Sequence, residues 1–104
     1  MVIREWRGRA SLDKADAYPL HFRTKVVPEL HEVPGFIGAH LSRRALADTV
    51  EFLVLTRWET LDAIRAFAGS DIAKAVVESG AVAALIDFDP HVQHYDVIED
   101  IQAS

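Results

Sequence analysis

The 104-residue sequence predicts an α+β fold in which two helices cover one face of a four-stranded antiparallel sheet. Three observations lead there. Apolar side chains recur at steps of three and four from Ala15 to Val33, the spacing of one helix face. Two neighbouring stretches of strand length, 36–45 and 49–59, flank a short turn at Ala47-Asp48 and read as an antiparallel hairpin. Further strand-like segments stand near the two ends of the chain, giving the order βαββαβ.

Residues 2–9 alternate loosely around the aromatic Trp6 and form a first strand ending near Gly8. Ser11 and Asp13 are good helix-start residues, and Ala15, Tyr18, Phe22, Val26, Leu30 and Val33 then line one face of a long helix. Pro19 and Pro28 lie inside that pattern. Proline has no amide to donate and crowds the preceding turn, so a late start or kink is expected near the first and a bend or break near the second. Pro34-Gly35 stops the helix. In the strand after the turn, the run Val50 to Trp58 is apolar on both faces over its middle, which requires cover on both sides. Thr60 caps a second helix with Leu61, Ile64 and Phe67 on a common face, and Gly69 ends it. Ser70 and Asp71 are expected to open a further short helix through Val77, and residues 79–86 add one or two helical turns. The last strand is expected over 88–98, with Pro90 near its start, and residues 99–104 form a polar tail.

This order is the ferredoxin-like arrangement, with both helices on one sheet face. The other face is left bare, and pressing two such sheets together covers it. Half the residues are apolar, generous for a small monomer, which points the same way, to a homodimer of single-domain chains spanning 1–104. Sixteen acidic against eleven basic side chains, with no basic stripe, argue against nucleic acid as a partner. The absence of cysteine removes disulfides, thiolate catalysis and cysteine metal sites. Charges at Arg4 and Glu5 stand where a signal peptide needs an apolar core, and no apolar run approaches the ~18 residues of a membrane span, so a cytoplasmic protein without a membrane partner is expected.

Four stretches carry a resemblance: Pro34-Gly35-Phe36-Ile37-Gly38, the strand end Leu55-Thr56-Arg57-Trp58-Glu59-Thr60, Phe67-Ala68-Gly69-Ser70-Asp71, and the closing His94-Tyr95-Asp96-Val97. Together, and in this order, they resemble the antibiotic biosynthesis monooxygenase family. The resemblance implies a homodimer forming a dimeric α/β barrel, with a ligand pocket in each subunit between helices and sheet. It implies three activities to choose among: cofactor-independent oxidation of phenolic substrates to quinones with molecular oxygen, haem degradation, or a small-ligand-binding or stress-associated dimer without catalysis. The shared fold does not choose. Haem-degrading relatives need an Asn on the first strand, a Trp on the second helix and an iron-ligating His after it, and those positions fall here on Trp6, Phe67 and Val77. No haem or other cofactor is therefore expected.

A metal is not expected either. His91 and His94, three apart on a strand, point to opposite faces, and His21 and His31 lie ten apart on the first helix. Of the activities the resemblance implies, oxygenation without a cofactor is expected first and a non-catalytic small-ligand-binding or stress-associated dimer second; the oxygenation needs a base for a phenolic proton and a donor for the oxygen adduct. Tyr18 and His21, one turn apart on the helix roofing the pocket, offer a phenol and an imidazole, and His40 and His94 offer further proton acceptors. Trp6, Trp58 and Phe67 would line a site for a flat aromatic ligand, although each also reads as a core aromatic. Arg43, Arg44, Arg57 and Arg65 read as solvated or paired with Glu51, Glu59 and Asp62, with one left to greet an acidic ligand.

Overall fold

In the computed structural model, which describes residues 1–103, the chain runs β1 (Val2–Ser11), a 3₁₀ turn (Leu12–Lys14), α1 (Ala17–His21), a π-helical stretch (Phe22–Val26), α2 (Val27–His31), β2 (Phe36–Ala45), β3 (Thr49–Trp58), α3 (Leu61–Ala68), α4 (Ser79–Ala84), β4 (Asp87–Phe88) and β5 (Gln93–Asp96). The sheet is antiparallel with β2, β3 and β1 side by side, and both β4 and β5 pair the far edge of β1. The four sheet positions and the helices on one sheet face are those the sequence predicts.

Pro28 does not break the first helix. Lacking an amide, it cannot complete the regular ladder, and the chain widens before it, the Val27 amide reaching back five residues to the Phe22 carbonyl. The helix starts late, at Ala17, two residues before Pro19.

Two expectations are corrected. Residues 71–77 are not a helix but a turn at Ile72-Ala73 followed by non-helical chain, because their peptide groups are taken by tertiary partners: Ala73 O accepts from Val92 N at 2.8 Å, and Ala75 N donates to Pro90 O at 2.9 Å. The last strand is not continuous over 88–98. Proline at 90 has no amide to give β1, so residues 90–92 leave the sheet edge for the 73–75 segment, and Lys74 and His91 bridge the two.

Along β1 and β3 even-numbered side chains face the helices and odd-numbered ones the bare face, and the β3 even positions Val50, Phe52, Val54, Thr56 and Trp58 are all buried. The outer face of β3 is apolar over its middle, where Leu53 and Leu55 stand between Glu51 and Arg57. Two clusters divide the core. One gathers Ala10, Tyr18, Phe22, Val50, Phe52, Val54, Ala81 and Ala84, the other Val2, Leu30, Trp58 and Ile64. Between them on the inner face lies a polar cross-strand pair, Arg4 opposite Thr56. Among the described residues no helix is long and apolar enough to cross a membrane.

Candidate functional site

A cavity of about 60 Å³ occupies the seam between the two clusters. Strand β1 supplies Arg4 and Trp6, β3 Val54 and Thr56, α1 Tyr18 and His21, and the non-helical segment before α4 closes it with Val76 and Glu78. Phe67, Leu30, Val26, Ala81 and Val92 complete the walls. This volume has room for roughly four waters, well below the ~300 Å³ from which sites for drug-sized ligands begin, so an aromatic ligand enters only where the walls part.

Trp6 is set by two local features. Gly8, two residues on along the same face, leaves space for the ring, since a Cβ there would stand 3.1 Å from the indole. The indole N–H donates to Asp89 O at 2.7 Å, the carbonyl just before the chain lifts from the sheet edge. The ring then packs against Tyr18 at 5.9 Å and Phe88 at 6.1 Å between centroids.

Tyr18 and His21 sit one turn apart, their rings 6.0 Å apart. Burial, and then Glu78, push the Tyr18 phenol above its ordinary pKa, so it stays protonated as a donor. His21 Nε2 is buried with no hydrogen-bond partner among the described residues. Its other nitrogen faces Gly80, where a Cβ would come within 2.6 Å of Nδ1, so a glycine is what lets α4 approach the imidazole. An orphaned buried nitrogen beside a cavity is a cost that a ligand group would relieve.

Arg4 is the residue the sequence reading missed. It is 5% exposed. Its Nη1 donates to Ile72 O at 2.6 Å and lies 3.0 Å from His94 Nε2, and Nη2 donates to Lys74 O at 3.0 Å. Those contacts account for three of the five guanidinium hydrogens. Burial lowers its pKa to about 10, and no neighbouring carboxylate raises it. The signal was present in period two: Arg4 shares a strand face with Val2 and Trp6, where a charge has to be buried.

The other anticipated residues divide. His94 reaches the site only through Arg4, which occupies its Nε2. Phe67 lines the cavity and packs on Trp58 at 5.6 Å. Trp58 itself is fully buried in the second cluster, its N–H held by Thr56 Oγ1 at 2.8 Å, and does not line the cavity. His40 lies on the opposite sheet face, its Nδ1 3.2 Å from Arg57 Nη1. Arg44 pairs with Glu51 and Arg65 with Asp62 as anticipated, whereas Arg43 meets Asp16 at 3.5 Å. Haem finds no iron ligand at the position where its degraders place a histidine, since Val77 stands there. Among the described residues no group of three or more His, Asp or Glu is placed to hold a metal ion.

Fold and cavity define a ferredoxin-like domain with an internal polar site beneath its first helix. The chain matches the model of the antibiotic biosynthesis monooxygenases over residues 1–79 and belongs to that family. A Bacillus cereus protein assigned to the antibiotic biosynthesis monooxygenases is similar in structure, at TM-score 0.70 and 17% identity over 98% of this chain and 97% of that one. So is the haem degrader MhuD of Mycobacterium tuberculosis, solved with two haems in its active site, at TM-score 0.65 and 19% identity over 98% of this chain and 100% of that one. The Streptomyces coelicolor monooxygenase from ActVA-Orf6, solved with nanaomycin D, gives TM-score 0.65 and 17% identity over 99% and 92%. At such identities the likeness establishes the fold alone. No curated protein matches the chain.

Proposed function

We propose that this protein is a cofactor-independent monooxygenase that oxidises a small aromatic or quinol-type molecule with molecular oxygen. The observation that carries the reading is the His21 Nε2, buried without a partner among the described residues at a cavity that also holds the Tyr18 hydroxyl and the Arg4 guanidinium as donors. In its neutral form with a free lone pair at Nε2, His21 takes a phenolic proton and leaves an electron-rich ring. Molecular oxygen adds to the activated ring carbon, forming a C–O bond. The resulting peroxide loses water with the hydrogen of that carbon, and the product is a quinone. A dihydroxynaphthalene plus one O₂ thus gives a hydroxynaphthoquinone plus one H₂O. Tyr18 donates to the oxygen adduct, and Trp6 and Phe67 flank the ring.

The homodimer belongs to this reading. A compact chain of 11.6 kDa exposes about 5,800 Å². This one exposes 6530 Å², with Ile98 at 92% and Ile101 at 83%. A second copy against the outer sheet face and the C-terminal segment would cover the excess.

The test is oxygen uptake together with quinone formation from a dihydroxynaphthalene, with His21→Ala beside the parent. Quinone forming no faster than in buffer would leave the family's fold serving as a small-ligand-binding dimer.

A further inference from the structure

Arg4 presents a problem of charge. A guanidinium withdrawn from water is strongly unfavourable unless paired, and the customary partner is a carboxylate. Here all three recorded partners are neutral, two carbonyls and an imidazole. Glu78 is the carboxylate of the cavity wall, but it is not among the hydrogen-bond partners of Arg4. The guanidinium keeps Nε–H and one Nη2–H without an acceptor among the described residues. The neutral partners fix its plane and leave donors over.

We infer that Arg4 is the receiving group for an oxyanion on the ligand, so that the site selects aromatic molecules carrying a carboxylate or an ionised phenol. The anion completes the ion pair that the chain does not supply. Thr56, the cross-strand neighbour of Arg4, accepts from the Trp58 indole and keeps a neutral O–H to give, so the charged donors of this part of the wall belong to Arg4. The assignment rests on the proposed function for the aromatic nature of the ligand. The charge preference itself needs no turnover.

Binding, followed by tryptophan fluorescence and calorimetry, separates the two. The probes are 1-naphthoate against its methyl ester, and 4-nitrophenol, at a pH where it is fully ionised, against 4-nitroanisole. Charge-assisted hydrogen bonds to a buried guanidinium predict that the anion binds ten- to a hundredfold tighter, on the order of what one such contact contributes. The pair showing the preference tells whether carboxylate or phenolate is the natural group. Arg4→Gln abolishes the preference, and Arg4→Lys retains part of it. Should either variant lose its fold by circular dichroism, the acid-to-ester ratio of the parent alone decides. Equal affinity for acid and ester and for phenol and ether, no saturable binding of any probe, or a preference surviving in folded Arg4→Gln overturns the assignment. Anion preference without quinone formation would leave Arg4 in place and remove only the oxygenase.

Discussion

Arg4 Nη1 lies 3.0 Å from His94 Nε2, and since a guanidinium only donates, this nitrogen of His94 must carry a lone pair. Protonating it would set two cations against each other at a half-buried site. Burial first, and Arg4 second, hold the His94 pKa below the ordinary value. In the unfolded chain the imidazole titrates near ~6.5, whereas the folded form takes its proton only at lower pH. The unfolded state therefore binds more protons in between, so this contribution is fully present above ~6.5 and is lost as pH falls through the folded value. The melting temperature should decline on acidification through that window. His94→Gln, which keeps an acceptor oxygen but cannot titrate, should flatten the decline. Parallel slopes for parent and variant would acquit His94.

Gly80 sets the distance between α4 and His21. A methyl group there would stand 2.6 Å from Nδ1, closer than such atoms approach, so Gly80→Ala must displace the imidazole. Alanine also suits a helix better than glycine, by up to about 1 kcal/mol, which offsets part of the local strain. Thermal melting should therefore change little while oxidation falls by about 10²-fold, the usual effect of moving a catalytic group by ~1 Å. A proportionate loss of both would mean that Gly80 serves packing alone.

The elements were legible where periodicity alone determined them. The helix face from Tyr18 to Leu30, the hairpin of β2 and β3 and the cap at Thr60, whose Oγ1 accepts from Ala63 N at 3.1 Å, follow from local pattern. Segments 71–77 and 89–92 were not legible, because each is shaped by the other and the first also by Arg4, through contacts nearly 70 residues apart in sequence. The site was half legible. Tyr18, His21, Trp6 and Phe67 do meet, but His40 falls to the outer face by strand parity, in register with Leu55. Arg4 entered the sequence reading only as a charge that a signal peptide would not carry, because composition weighs a charge without asking which way it points.

That division predicts contrasting histidine variants. His21→Ala should lower oxidation by at least ~10²-fold, the lower bound for a positioned base. His40→Ala, on the far side of the sheet beside Arg57, should oxidise as the parent does. Were His40→Ala the damaging change, the site would have to be sought on the outer face.

Trp58 should affect stability rather than ligand affinity. It is fully buried, with Phe36 at 5.3 Å and Phe67 at 5.6 Å. Trp58→Ala should cost about 3–5 kcal/mol in denaturant unfolding, as large-to-small changes in packed cores do. A small loss of stability with a large loss of ligand binding would instead make it a wall of the site.

Association is testable without disturbing the subunit. Ile98 and Ile101 are exposed at 92% and 83%, so replacing both by Asp removes almost no contact within one chain. If a second copy covers them, the same change places two charges in a buried interface, where unpaired carboxylates are strongly unfavourable. Light scattering should then give the parent a mass of twice 11.6 kDa and the double variant a lower mass at the same protein concentration. The melting temperature of the parent should rise with concentration, as it does when folding and association are coupled, and that dependence should weaken in the variant. A parent that runs as a monomer at micromolar concentration would end the dimer proposal. A variant as fully dimeric as the parent would confine the interface to the sheet face around Leu53 and Leu55.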